Sequence, residues 1–348
     1  MPDSIFTLEN VMAGAIAISL FGYALFGGAD FGGGVWDMLA SGPRRDRQRE
    51  LIADAIGPIW EANHVWLIVA IVLVFTCFPP AFALLGIVLH IPLTLMLIGI
   101  VMRGSAFTFR SYDVAHSVAQ RRWGRTFAIA SVITPLLLGV ILGSLASGRV
   151  VPREALLRGG SFADIYVSPW LSPFTLSVGL FALTMFAYLA AVYLTVEAEN
   201  DAELQEDFRR RALGAALALF VIAFGTLLLA VSGAPRLVDR LTTAPWAIPF
   251  HLVTGSAALL TIWALWTRRF RLARVTAAAQ VTLILAGWAL AQYPYIVPTS
   301  LTIAEAAAPR RTLELTLFAL IAGSIVLFPS LFYLFRVFKG RKEIEIRD

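Results

Sequence analysis

Residues 54–66 read DAIGPIWEANHVW and run directly into the apolar stretch LIVAIVLVF at 67–75. Glu61, Asn63 and His64 therefore stand between Trp60 and Trp66, behind Pro58, at the head of what otherwise reads as a hydrocarbon-soluble helix. An ionisable side chain at the centre of a bilayer costs about 2.5–3.5 kcal/mol on insertion scales, so its retention marks a functional site by default. A second acid, Asp30 in FGGADFGGG at 26–34, lies at a similar distance from the end of the preceding apolar segment.

The rest of the chain has the composition that such a helix requires. Of 348 residues, 58% are hydrophobic and 15% charged, with a mean hydropathy of +0.76, more apolar surface than a soluble domain buries. This predicts an all-α polytopic membrane protein. The net charge of +5 does not point to nucleic acid, because the basic residues sit in short loops between apolar runs and form no face or tail. Cys77 is the single cysteine, which excludes an internal disulfide and a cysteine metal cluster, and it is read as a packing residue. The first apolar run, from Val11, is too long for a leader and has no small-residue cleavage site, so it is expected to be a span.

Nine transmembrane helices are expected, at about 8–40, 51–77, 80–108, 124–147, 170–196, 212–232, 246–267, 275–296 and 312–338, each near the ~20 residues needed to cross ~30 Å of hydrocarbon. Twenty of the 28 Lys and Arg residues fall in one set of alternate loops and the C-terminal tail; seven fall in the opposite loops, and Arg103 lies within the third span. The positive-inside rule then places the N-terminus outside and the C-terminus in the cytoplasm, the arrangement an odd helix count requires. The expected organisation is a single integral-membrane domain over 1–348: a first four-helix bundle in 1–147, a second in 170–296, and a peripheral ninth helix at 312–338. The outer loops 148–169 and 292–311 are too long for tight turns and are expected to lie over the bundle rim.

If the first helix ends near Ala40 and the second begins near Leu51, Asp30 and Glu61 are each ten residues in, about 15 Å deep at ~1.5 Å per residue. Gly57, Glu61, His64 and Ile68 share one helix face. The glycines at 27, 28, 32, 33 and 34 allow either close helix approach or a local break that admits water.

Three readings of this cluster stay open on the residues alone. Glu61 and His64 form one Glu-x-x-His pair, the unit that helical di-iron sites use twice, but no second copy exists, so no metal site is expected. A buried carboxylate beside a histidine, connected to the cytoplasmic surface through Asp54, would form a proton relay. A paired acid at a helix or subunit interface would need no chemistry at all. Arg103 in VMRGSAFTFR either neutralises an acid inside the bundle or snorkels to the interface. His90, beside Pro92, reads as a hydrogen-bonded core residue, while His116 and His251 are poorly placed to be axial haem ligands.

IGPIWEANHVWLIVAIVLVFTCFPPAFA, the upstream GGADFGGG, MRGSAFTFRSYD and the late loop YPYIVPTSLTIAEAAAP occur in order along most of the chain. Together they resemble subunit II of the cytochrome bd-type quinol oxidases, including the cyanide-insensitive branch. That resemblance implies a chain without catalytic residues or haem of its own, packed against a haem-bearing subunit I that carries haem b, haem d and the quinol site. A small single-helix subunit is a further expected partner, and some members hold a structural quinone on subunit II. The complex would oxidise quinol, reduce dioxygen to water and take its protons from the cytoplasm, in the bacterial inner membrane. Carried over by motif position, Glu61 and Asp30 fall on a proton path, with His64 and Asp54 beside it. Trp66 falls on a residue associated with the oxygen route, and Trp60 and Arg103 on positions linked to stability of the assembly and its haems. Three positions depart from the family pattern: Gly27 replaces the first acid of an Asp-Gly-Phe-Asp-like motif, Glu61 stands where the motif tryptophan is usually followed by Asp, and His64 replaces a commonly acidic residue. A proton-coupled secondary transporter and a purely structural scaffold are the alternatives from other classes.

Overall fold

The computed structural model describes residues 6–56, 60–112, 118–150 and 161–344, excluding the side chains of 60–63, 110–112, 118–121, 335 and 338–344. The helices are α1 (Leu8–Met38), α2 (Arg45–Ile56), α3 (Trp60–Cys77), α4 (Pro79–Val88), α5 (His90–Tyr112), α6 (Val118–Ser147), α7 (Phe162–Tyr166), α8 (Pro173–Glu197), α9 (Ala202–Gly233), α10 (Pro235–Thr243), α11 (Ala247–Trp266), α12 (Phe270–Gln292), α13 (Ile303–Ala306) and α14 (Arg310–Ile344). An antiparallel hairpin of β1 (Tyr295–Val297) and β2 (Leu301–Thr302) precedes α13. Among the described residues, α1, α5, α6, α8, α9, α11, α12 and α14 are long and apolar enough to cross a membrane. The pair α3 and α4, bent by 114° across Phe78, makes a ninth when counted as one span.

Within the expected second span, 51–77, the described residues form the end of α2, to Ile56, and α3, from Trp60. The sequence of α2, RDRQRELIADAI, is polar and turns inward only Gln48, Ile52 and Ile56, a one-sided i, i+4, i+8 stripe. Residues 57–59 lie outside the described residues, and Glu61 is the second residue of α3 as described. The expected third span is divided at Leu89 between α4 and α5. At α9 the helix begins ten residues before the expected 212, because the Asp201 side chain accepts from the Leu204 amide and caps it.

Helix α1 is continuous from Leu8 to Met38, so its glycines serve close approach and do not break the helix. A Cβ at Gly32 would run into the carbonyl of Phe186 on α8, and one at Gly34 into the Ser131 side chain on α6. Gly139 of α6 and Gly179 of α8 likewise face each other's backbones. Small residues thus let α1, α6 and α8 meet backbone to backbone, where association in lipid depends on close packing. Gly33 faces Ile56 and Ile52, and Gly22 faces Trp66, so α2 and α3 run antiparallel along α1 in one register.

The loops after α1, α8 and α11, all in the more basic set, meet at one end of the molecule. Arg44 donates two bonds to Asp207 at 2.8 and 2.6 Å, Arg47 pairs with Asp201 and Glu203, and Arg49 lies 3.8 Å from Asp37. Arg268, Arg271 and Arg274 of the α11–α12 connection reach Glu206, Glu199 and Glu197 at 3.3, 3.2 and 3.4 Å. At the other end the β1–β2 hairpin is a cap. Val297, Ile303 and Ala306 are buried against Met12, Cys77 and Phe78, and the Ala308 amide donates to the Cys77 carbonyl at 2.8 Å.

Candidate functional site

The buried polar groups of the first helices converge on one aromatic ring. Phe31, 1% exposed, follows Asp30 on α1 and has the Arg103 guanidinium over its face at 4.6 Å. Tyr23, two turns earlier on α1, meets Phe31 edge-on at 6.5 Å between centroids, and the His64 ring of α3 does the same at 6.0 Å. The Tyr23 and His64 rings are 5.8 Å apart. Arg103 on α5 is 1% exposed; its Nε donates to Ser131 Oγ at 3.2 Å and its second aromatic face is Phe127 of α6, at 5.1 Å. Asp30 is 5% exposed, and its charge and the Tyr23 phenol act on Arg103.

This arrangement decides between the two readings of Arg103: the side chain does not snorkel. Enclosure between two desolvated rings contributes about 2 kcal/mol per cation–π contact. Loss of hydration is far more costly than that, so a nearby acid is required to keep the guanidinium inside. Among the described residues, Arg103 Nη2 and Thr134 Oγ1, one turn beyond Ser131, are buried with no hydrogen-bond partner.

Beside Asp30 lies a cavity of about 380 Å³ between α1, α2, α8 and α12. Its walls are mainly apolar, and its polar members are Asp30, Tyr193, Glu197 and Arg274. Arg274 spans the cavity edge, donating to Glu197 at 3.4 Å with its guanidinium 5.0 Å from the Tyr193 ring centroid.

Of the residues singled out in the sequence, His64 and Arg103 both pack on Phe31, and the charge of the neighbouring Asp30 acts on Arg103. Trp66 packs against Gly22, stacks on Phe26 at 6.3 Å and touches Phe328 of α14, away from Arg103. Asp54 is exposed on α2. The side chains of Glu61 and Trp60 lie outside the described residues. His90 is hydrogen-bonded as expected, to the Ile87 carbonyl at 2.8 Å, but it is exposed and not a core residue. His251 is tied to the Ala247 carbonyl of its own helix at 2.6 Å. His64, His90 and His251 are on separate helices, and among the described residues no three His, Cys, Asp or Glu side chains form a metal-holding group.

Sequence reading missed Tyr23, Ser131, Glu197 and Arg274. Tyr23 carried a usable signal, because i and i+7 share a helix face and Tyr23 precedes Asp30 by seven. The other three depend on contacts between distant helices, which no local spacing reports.

A bundle of membrane-spanning helices with an acid and an arginine held together in its interior defines the class: an integral-membrane protein with an embedded ionisable site. Within that class, the family model for cytochrome bd terminal oxidase subunit II matches residues 8–338. The chain belongs to that family and is a multi-pass protein of the bacterial inner membrane. It is similar to the cytochrome bd ubiquinol oxidase subunit 2 of Bacillus subtilis strain 168, 24% identical over 61% of this chain and 60% of that one. It is also similar to the cytochrome bd-I ubiquinol oxidase subunit 2 of Escherichia coli K12, 27% identical over 55% and 49%. These alignments span only about half to three-fifths of the relatives' length, whereas a second Bacillus subtilis chain aligns over 94% of this chain and 96% of its own at 24% identity. The fold matches a chain of the bd oxidase from Geobacillus thermodenitrificans with a TM-score of 0.73, at 12% identity, covering 96% of this chain and 98% of that one.

Proposed function

We propose that this chain is the haem-free subunit II of a bd-type terminal quinol oxidase, which passes electrons from quinol to dioxygen and yields quinone and water. A haem-bearing subunit I would supply haem b, haem d and the quinol site; a small single-helix subunit is a further partner. Haem, when bound by the partner, supplies the redox chemistry. This chain's own residues hold a partner surface and take up protons. Positive-inside asymmetry assigns the charged end, where Arg44, Arg47 and Arg268 to Arg274 gather, to the cytoplasm. Uptake from that side without release there contributes to a proton-motive force.

The observation that carries this reading is the burial of Asp30, whose charge acts on Arg103, next to a cavity that the Glu197–Arg274 pair also lines. An acid that balances a buried cation and exchanges a proton needs polar neighbours, and Tyr193, Glu197 and Arg274 line the same cavity as Asp30. Glu61, by its motif position, is the onward carrier towards subunit I. The scaffold reading has one observation in its favour, since Asp30 could serve only as the counter-charge of Arg103. The transporter reading loses its main support because α1 is unbroken.

Purification from the native membrane tests the assignment. Co-purification with a haem-bearing partner, b- and d-type bands in the reduced-minus-oxidised spectrum and quinol-dependent oxygen uptake are expected. Isolation as a haem-free, solute-binding monomer would reject it.

A further inference from the structure

We infer that the cavity beside Asp30 is a water-filled vestibule from the charged end of the molecule, and that the Glu197–Arg274 ion pair is the gate at its mouth. The inference rests on the proton-uptake reading above and adds a route and a gate to it.

Glu197 is the last residue of α8, and Arg274 is in the second turn of α12. Both belong to the belt of ion pairs at the charged end, next to Arg271–Glu199 and Arg268–Glu206. Along α8 the cavity wall runs from Ala190 to Glu197, seven residues, or about 10 Å at 1.5 Å per residue. Asp30 lines the same cavity, eight residues before the end of α1 at Met38. The cavity therefore bridges the depth between the surface belt and the embedded acid. At about 30 Å³ per molecule of liquid water, 380 Å³ has room for roughly ten waters, and four polar side chains are available to anchor them.

The small walls matter as much as the polar ends. Ala29, Gly33, Ala55, Ala190 and Ala278 line the space, where larger side chains would fill it. Gly33 in particular approaches Ile56, so α2 packs tightly on one side while the α8–α12 side stays open. Arg274 is held from two directions, by the Glu197 carboxylate and by the Tyr193 ring. A fixed cation at the mouth repels hydronium and other cations. Its pairing with Glu197 cancels that field, so the pair sets the access of protons to the space behind it. The step itself is a proton transfer only: a proton enters from the cytoplasmic solvent across the Glu197–Arg274 pair as hydronium, passes along the vestibule waters to the Asp30 carboxylate, and leaves neutral water behind.

The test uses the assembled oxidase in sealed membrane vesicles of both orientations, with Cys77, the only cysteine of this chain, replaced by alanine and labelling read on this chain after the subunits are separated. Ala278→Cys and Ala55→Cys are probed with a charged, membrane-impermeant methanethiosulfonate, and Glu197→Gln is assayed for oxygen uptake per haem. Labelling at both cysteines from the cytoplasmic side only, with at least a several-fold fall in uptake for Glu197→Gln, is the expected result. Labelling only by a lipid-soluble maleimide overturns the vestibule, because the space then opens to the bilayer. Labelling with normal uptake in Glu197→Gln overturns the gate. If Asp30→Asn lowers turnover while neither cysteine labels, the vestibule fails and the relay stands. If both cysteines label while Asp30→Asn turns over normally, the relay fails instead.

Discussion

Arg103 is the residue on which the interior depends. Its guanidinium is a planar group that two rings sandwich and one serine fixes, and Asp30 supplies the opposing charge. Removing one partner of a buried pair costs about 3–5 kcal/mol, because the other charge stays behind. Arg103→Leu is therefore expected to lower the thermal midpoint of the purified assembly by well over 5 °C. Arg103→Lys should fall between the two, since the ammonium keeps the charge but cannot lie flat against Phe31 and Phe127. Equal midpoints for Arg103→Lys and Arg103→Leu would contradict the sandwich. The sequence shows that Arg103 stands in an apolar run, but not what it faces: Asp30, Phe127 and Ser131 come from α1 and α6, and only tertiary packing brings them to α5.

Among the elements, α1 is the strut that α2, α3, α6 and α8 lean on. Gly32→Val is expected to prevent assembly or to reduce yield severely, because a branched side chain there meets the Phe186 carbonyl. Gly14→Val is the control: a Cβ at Gly14 meets nothing within 4 Å, so its effect should stay within about 0.5 kcal/mol. Similar yields for the two variants would refute the close-packing account. Much at this scale was legible. The apolar lengths of α1, α8, α11 and α12 fixed their extents within a few residues, since lipid requires a continuous helix of a set length. The early start of α9 was hidden because six of its first ten residues are charged and so fall outside an apolar span, while Arg44, Arg47 and Arg268 from other loops pair with its acids.

For the molecule as a whole, the ion-pair belt is what joins its first and second halves at the charged end. The Asp201 carboxyl is held below the usual carboxylate range, chiefly by the Leu204 amide that it caps and then by the Arg47 guanidinium. A carboxylate with a lowered folded-state value contributes its stability above the ordinary value near 4, and loses it as pH falls through the folded value. Thermal midpoints are thus expected to fall as the pH is taken from about 5 to 3, and Asp201→Asn should flatten part of that slope. An unchanged slope in the variant would show that the belt does not hold the halves together. The convergence of these loops followed from their shared excess of Arg, but the partner of each arginine did not, because one basic loop faces several acids of equal charge.

The central claim is that Asp30 carries protons and is more than the counter-ion of Arg103. The direct measurement is quinol-dependent oxygen uptake per haem in assembled Asp30→Asn, with haem content fixed from the reduced-minus-oxidised spectrum and Glu61→Gln measured alongside. Both variants are expected to keep their haems and to lose at least tenfold in turnover. Full turnover by an Asp30→Asn assembly with normal haem content would contradict the account.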